Sequence, residues 1–251
     1  MRISSLYLGT ALLLLGNLAA VAEPKAVVEL FTSQGCSSCP PADKLLGELA
    51  ADDDLIALTV PVTIWDYLGW ADTLASPAMT ERQIAYARAR GDRRVYTPQV
   101  VVSGLDAVVG SDRRAIRAAI RDIGPLPLPV ALGKVAGSLK IDVGGSDAAG
   151  ITEATIWLMY FDPAVTVPIG RGENRGRTIT YHNVVGDMQV LGMWRGKPLT
   201  IELPLDAHQK VVDAGAVVFV QTESATGPGR IVGAAKLENV FTAREAQVSA
   251  R

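Results

Sequence analysis

Apolar residues in the first half of the chain fall into two rhythms. "AVVELFT" (26–32) and "LIALTVPVTIW" (55–65) are short, β-branched runs bounded by turn formers, and they predict buried strands. "PADKLLGELAA" instead sets Leu45, Leu46 and Leu49 on one helical face, with the charged residues opposite. "SPAMTERQIAYARARG" predicts a helix capped by Ser76, opened by Pro77 and stopped by Gly91. "QVVVSG" and "DAVVG" read as two strands joined at Ser103-Gly104, and "SDRRAIRAAIRDIG" as a helix with Ile116 and Ile120 inward. The predicted order is β-α-β-α-β-β-α.

The pattern changes at "GPLPLP" (124–129), which predicts a domain boundary. Beyond it, "LKIDV", "ATIWLMYFD", "TITYHNVV", "PLTIELPL", "AVVFVQT" and "IVGAAKL" are strand-like runs separated by turn residues. Leu139, Ile141 and Val143 alternate with Lys140 and Asp142, as do Ile201, Leu203 and Leu205 with their neighbours. That period describes strands with one buried and one wet face, and predicts an antiparallel β-sandwich.

The N-terminus reads differently again. Met1-Arg2, an apolar run from Leu6 to Leu18 and the small-x-small tripeptide Ala20-Val21-Ala22 have the form of a cleaved signal peptide. The run is shorter than the ~20 residues a membrane span needs, although an uncleaved anchor is the alternative. The expected mature chain starts at Glu23 and is exported, periplasmic or secreted. Loss of Arg2 leaves 23 basic against 26 acidic residues, with no basic block, which argues against nucleic acid as a partner. No later stretch is long and apolar enough to span a bilayer.

Export bears on "TSQGCSSCPP" (32–41), which holds both cysteines of the chain. An exported compartment favours a disulfide. Cys36 and Cys39 have the C-x-x-C spacing of a redox pair, and a helix N-terminus behind them would stabilise a thiolate. A structural clip is the alternative, contributing ~2 kcal/mol for so short a loop. Zinc would need four ligands, and only His182 and His208 could join the two cysteines, with no metal spacing between them. Pro40 and Pro41 complicate the helix start, because a residue before proline resists the helical region. A regular helix is therefore expected only from Pro41, with Asp43 in its first turn.

The predicted element order, with C-x-x-C between the first strand and first helix, resembles the thioredoxin superfamily. "VELFTSQGCSSCPPAD", "WDYLGWADTLASP", "VYTPQVVV" and "GENRGRTITYHNVV" resemble the exported thioredoxin-like proteins of the domain-of-unknown-function 1223 family, from Val27 to about Leu237. The resemblance implies an α/β thioredoxin-like domain over 23–126, then a β-sandwich domain over 127–242 and a tail at 243–251. It implies an exposed nucleophile at Cys36, a buried resolving thiol at Cys39, and a cis peptide at Thr97-Pro98 beside them. An ordinary trans-proline at a strand start is the alternative for Pro98. Glu29 lies near the position of a buried carboxylate that assists the resolving cysteine; alternatively it faces a wet surface or pairs with a Lys or Arg.

Two further segments carry candidate binding chemistry. Trp65, Asp66, Tyr67 and Trp70 in "WDYLGWAD" are either an aromatic lip that selects substrates or packing for an inserted segment. "GRGENRGR" (170–177) is either an anion-binding loop or a solvated hairpin with internal ion pairs. The expected function is thiol–disulfide exchange through Cys36 and Cys39 without a bound cofactor. Its partners would be a thiol or disulfide substrate and a redox donor or acceptor. The alternative is a non-catalytic envelope binding protein with a structural disulfide.

Overall fold

Strand β1 (Ala26–Thr32) is buried at every residue, so both of its faces must be covered. The computed structural model describes residues 24–145, 150–205 and 214–240. It is a mixed α/β architecture dominated by strands. After β1 come α1 (Pro40–Ala50), β2 (Leu55–Pro61), a 3₁₀ turn (Asp66–Leu68), α2 (Pro77–Arg90), β3 (Gln99–Val102), β4 (Asp106–Val109) and α3 (Arg113–Ile123). The second half contributes β5 (Val130–Val135), β6 (Ser138–Val143), β7 (Ala154–Pro168), β8 (Thr178–Trp194), β9 (Leu199–Pro204), β10 (Gly215–Ser224) and β11 (Gly227–Leu237).

Eight strands form one sheet in the order β11-β10-β7-β8-β2-β1-β3-β4, and three form a second in the order β5-β6-β9. Within the large sheet β1 runs parallel to β2 and antiparallel to β3. The halves of the chain meet where β8 lies parallel to β2, paired at Thr59 and Val184. Side chains reinforce this short seam: Thr59 Oγ1 donates to the His182 carbonyl at 2.6 Å, and Asn183 Nδ2 donates to the Ala57 carbonyl at 2.9 Å.

Alternation along β1 sorts its two covers. Val28 and Leu30 pack with Leu45, Leu46 and Leu49 of α1 and Ile116 of α3. Val27 and Phe31 pack on the other face with Met79 and Tyr86 of α2 and Phe219 of β10. Each fully buried leucine contributes ~1.5–3 kcal/mol. A third cluster joins the sheets, with Leu139, Ile141 and Val143 of β6 against Ile156, Leu158, Val218 and Val220.

The helix expectations hold at α2, where Ser76 accepts from the Met79 N–H and Gly91 closes the helix at φ 78°. The start of α1 differs from expectation. Cys39 has helical dihedrals (φ −78°, ψ −35°) and the helix begins at Pro40. The two prolines occupy the first turn, where an N–H has no intrahelical partner to lose. Cys39 O meanwhile accepts from both Ala42 N and Asp43 N.

Strand β5 (VALGKV) was not expected, because Gly133 and Lys134 break its apolar pattern. Its register comes from pairing Val130 with Val143 and onward along β6. β7 and β8 outrun their apolar segments, since each supplies the other's ladder, and register shifts at Ile156/Trp157 and Tyr160/Phe161 absorb the irregular positions. No helix among the described residues is long and apolar enough to cross a membrane. The expected signal peptide, His208 and the tail lie outside the described residues.

Candidate functional site

The chain leaves β1 at Thr32, turns through Ser33, Gln34 and Gly35, and reaches the cysteines just before α1. Cys36 and Cys39 are joined in a disulfide, with their Cα atoms 5.4 Å apart. Cys36 N donates to Ser33 O and Cys39 N to Cys36 O, so tight turns present the pair at the helix N-terminus. Ser37 and Ser38 face solvent, and Ser38 Oγ lies 3.4 Å from Cys36 Sγ.

The resemblance implied an exposed Cys36. Instead it is 5% exposed, and Cys39 is 0% exposed. The cover comes from the second half. Asn174, 1% exposed, donates through Nδ2 to Gln34 O at 2.9 Å and to Cys36 O at 2.8 Å. Its neighbour Glu173 accepts from Ser37 N at 3.3 Å. The loop holding them is closed on itself, with Ile169 N donating to Arg177 O and Gly176 N to Ile169 O. Gly172 and Gly176 supply the left-handed turns at φ 73° and 81°. "GRGENRGR" thus turns its Glu and Asn onto the cysteine loop, while Arg171, Arg175 and Arg177 stay exposed.

The aromatic segment divides. Trp65 packs against the cysteine turn, where a Cβ on Gly35 would lie 3.1 Å from its own Cβ. Its Nε1 donates to Thr97 Oγ1 at 2.7 Å. Tyr67 stands 6.1 Å away, ring centre to ring centre, and is 74% exposed. Trp70 turns inward, donating to Gln34 Oε1 at 2.8 Å and packing on Gly170 and Gly172 of the covering loop. Asp66 accepts from Asp72 N at 3.0 Å and so shapes the turn. Asp72 accepts from Gln34 N at 2.7 Å and from Leu74 N and Ala75 N. Burial still holds the Asp72 carboxyl above its usual range, against those donors.

The Thr97–Pro98 bond is cis. Pro98 and Ala42 of the first turn of α1 both flank Gly110, where an added Cβ would sit 3.0 Å from Pro98 Cβ and 3.3 Å from Ala42 Cβ. Cys36, Cys39, Trp65, Thr97 and Pro98 therefore converge on one end of the sheet.

Glu29 is not brought to them. It lies on the Val27–Phe31 face of β1, away from α1, and is fully buried. Arg82 grips it with Nε at 2.6 Å and Nη2 at 3.1 Å, and Tyr86 donates its hydroxyl to Oε2 at 2.6 Å. The alternative expectation, pairing with an arginine, describes its environment.

The carboxylate beside the cysteines is Asp43. It is buried, although the helix pattern set charged residues of α1 on the wet side. Thr32 donates to its Oδ1 at 2.7 Å, while Oδ2 is buried without a hydrogen-bond partner. Burial pushes its pKa up to about 7, the Thr32 hydroxyl acting in the opposite direction. The Tyr181 hydroxyl on β8 is likewise buried and unpartnered. Its pKa is raised by burial and by the nearby Asp43 and Asp72 carboxylates. Asp43 and Asn174 were missed in the sequence. The spacing of Cys39, Asp43 and Leu46 on one helical stripe was a usable signal for the first.

His182 packs its ring against Gly47 of α1, where an added Cβ would lie 2.6 Å from Cδ2. Among the described residues, no three His, Cys, Asp or Glu side chains are grouped to hold a metal ion.

Residues 27–221 match a family described as a protein of unknown function (DUF1223). The chain is similar to a structural-genomics target from Agrobacterium tumefaciens seen by X-ray crystallography. The two share 40% identity with a TM-score of 0.76, covering 86% of this chain and 94% of that one. It also resembles HBP35 of Porphyromonas gingivalis in fold, at 14% identity and a TM-score of 0.57, over 88% of this chain and 76% of that one. No curated protein matches.

Proposed function

The chain belongs to the DUF1223 family, and from that premise we propose that it is an exported thiol–disulfide exchange protein acting through Cys36 and Cys39. The observation that carries this reading is the Cys36–Cys39 disulfide at the start of α1, with Pro98 across Gly110 from the same helical turn. The order β-α-β-α-β-β-α from β1 to α3, with the cysteines between β1 and α1, supports a thioredoxin-like first half (23–126). The second half (127–242) is read as a β-sandwich domain that also supplies the cover. Residues 1–22 are read as a signal peptide.

In the reduced protein, the Cys36 thiolate attacks one sulfur of a partner disulfide. A Cys36–partner S–S bond forms, and the other partner sulfur leaves as a thiolate that takes a proton from water. Cys39, once deprotonated, attacks Cys36 Sγ, and the first partner sulfur departs. The protein dithiol has become a disulfide and the partner disulfide two thiols; the reverse sequence oxidises a partner dithiol. Because Cys36 is 5% exposed, the partner must displace the loop carrying Asn174 before contact. Trp65, against Gly35 of the cysteine turn, and the exposed Tyr67 beside it are the aromatic side chains a partner would meet there.

A second reading rests on that same cover: a sealed disulfide serving as a clip in a non-catalytic binding protein. The midpoint potential of the pair, followed by thiol trapping in glutathione and dithiothreitol buffers, separates the two. Exchange predicts a value between ~−120 and ~−270 mV, while a clip predicts one below ~−300 mV with slow reduction.

A further inference from the structure

We propose that Asp43 is the proton acceptor and donor for Cys39, the role the strand carboxylate Glu29 cannot fill from the opposite face of β1. This rests on the exchange reading and adds the residue that makes the buried thiol competent.

Asp43 follows Cys39 by four positions, and its N–H donates to the Cys39 carbonyl at 3.1 Å. Side chains at this spacing share a helix face, with Cβ atoms about 5–6 Å apart. They also lean toward the helix N-terminus, which carries the Asp43 carboxyl back over the Cys39 turn. Oδ1 is fixed by Thr32, the last residue of β1, so the carboxyl is held between the end of β1 and the start of α1. Oδ2 has no partner while the disulfide is closed. An unpaired buried oxygen is costly, and its retention calls for a functional explanation. Opening the disulfide supplies a partner, the Cys39 S–H.

When the mixed disulfide on Cys36 resolves, the Cys39 S–H bond breaks and its proton passes to the Asp43 carboxylate. The sulfur electron pair forms the bond to Cys36 Sγ, and the partner sulfur leaves with the former S–S pair. In the opposite direction a partner thiolate attacks Cys36, Cys39 leaves with the bond pair, and protonated Asp43 returns the proton. The groups around this carboxyl are Cys39 on its own helix, Thr32 on β1, Asp72 with Asp66 behind it, and Tyr181 on β8. Farther along, His182 of β8 lies against Gly47, and Glu173 is tied to Ser37 N. The Asp72 carboxylate and the Tyr181 phenol thus stand near a group already pushed up to about 7 by burial, where it can both take and return a proton.

The test uses the full chain, reduced and then mixed with oxidised glutathione, acid-quenched over time and resolved by mass spectrometry. In wild type, glutathione adds to Cys36 and is then lost, with a loss rate that rises through an inflection near pH 7. In Asp43→Asn the first addition keeps its rate. The loss slows by about 10²-fold, so the mixed disulfide accumulates, and the inflection moves toward the ordinary thiol value of ~8.5. Wild type that never forms the Cys36 adduct overturns the exchange reading and this role with it. Normal wild-type exchange with an unchanged Asp43→Asn loss rate and pH profile overturns the role of Asp43 alone. Should Asp43→Asn not fold, the wild-type profile decides: an inflection at ~8.5 rather than near 7 overturns the proposal.

Discussion

Asp43 binds its proton differently in the folded and unfolded chains. Folded, it holds the proton up to about pH 7; unfolded, the carboxyl loses it near 3.8. Between those values the folded state binds more protons, so this group's contribution to stability falls as pH rises from about 4 to about 7. Replacing it with Asn removes the penalty. We expect oxidised Asp43→Asn to match wild type near pH 4 and to exceed it near pH 8 by as much as about 4 kcal/mol. Urea denaturation at the two pH values measures the difference, and an equal gap at both would refute it. The thioredoxin resemblance points to Glu29 rather than Asp43, and the local pattern of β1 cannot correct it. β1 is apolar on both faces, so alternation cannot tell which face a lone carboxylate takes. A helix has only one dry stripe, and Asp43 lies on it between Cys39 and Leu46.

At the scale of elements, the loop between β7 and β8 is tied to the backbone of the cysteine turn. Asn174→Ala deletes two hydrogen bonds to the carbonyls of Gln34 and Cys36, each worth ~0.5–1.5 kcal/mol net. The predicted result is faster reduction of Cys36–Cys39 by dithiothreitol, by roughly tenfold, as about 1.4 kcal/mol leaves the closed state. A rate unchanged from wild type would show that the loop does not govern entry. Elements with strong local signals were legible: the Ser76 cap and Gly91 stop of α2, and the apolar runs of β1, β6 and β10. β5 was hidden by its glycine and lysine. The covering loop was hidden because a Gly–Arg-rich segment carries no information about a turn that closes some 138 residues away in sequence.

For the molecule as a whole, the continuous eight-stranded sheet couples the two halves. Arg82 of α2 bridges Glu29 of β1 and, at 3.3 Å, Gln221 Oε1 of β10, so one buried cation joins both. Gln221 Nε2 returns to the Tyr86 hydroxyl at 2.9 Å. Breaking such a pair by removing one partner costs ~3–5 kcal/mol, because the remaining charge is stranded. Arg82→Met is therefore expected to lower the thermal midpoint while leaving a single transition in calorimetry. Two separated transitions in wild type would show that the halves melt independently. The compositional change at 124–129 was visible in sequence. The seam between β2 and β8 was not, since it rests on one register pair and two side chains whose partners lie more than a hundred residues away.

The order of synthesis gives the covering loop a meaning in time. Both cysteines and α1 are made long before Asn174, so every chain passes through a period in which its thiols have no cover. Their oxidation state is then open to whatever thiol chemistry surrounds the growing chain. The two hydrogen bonds from Asn174 to the Gln34 and Cys36 carbonyls can form only after the second half has been made.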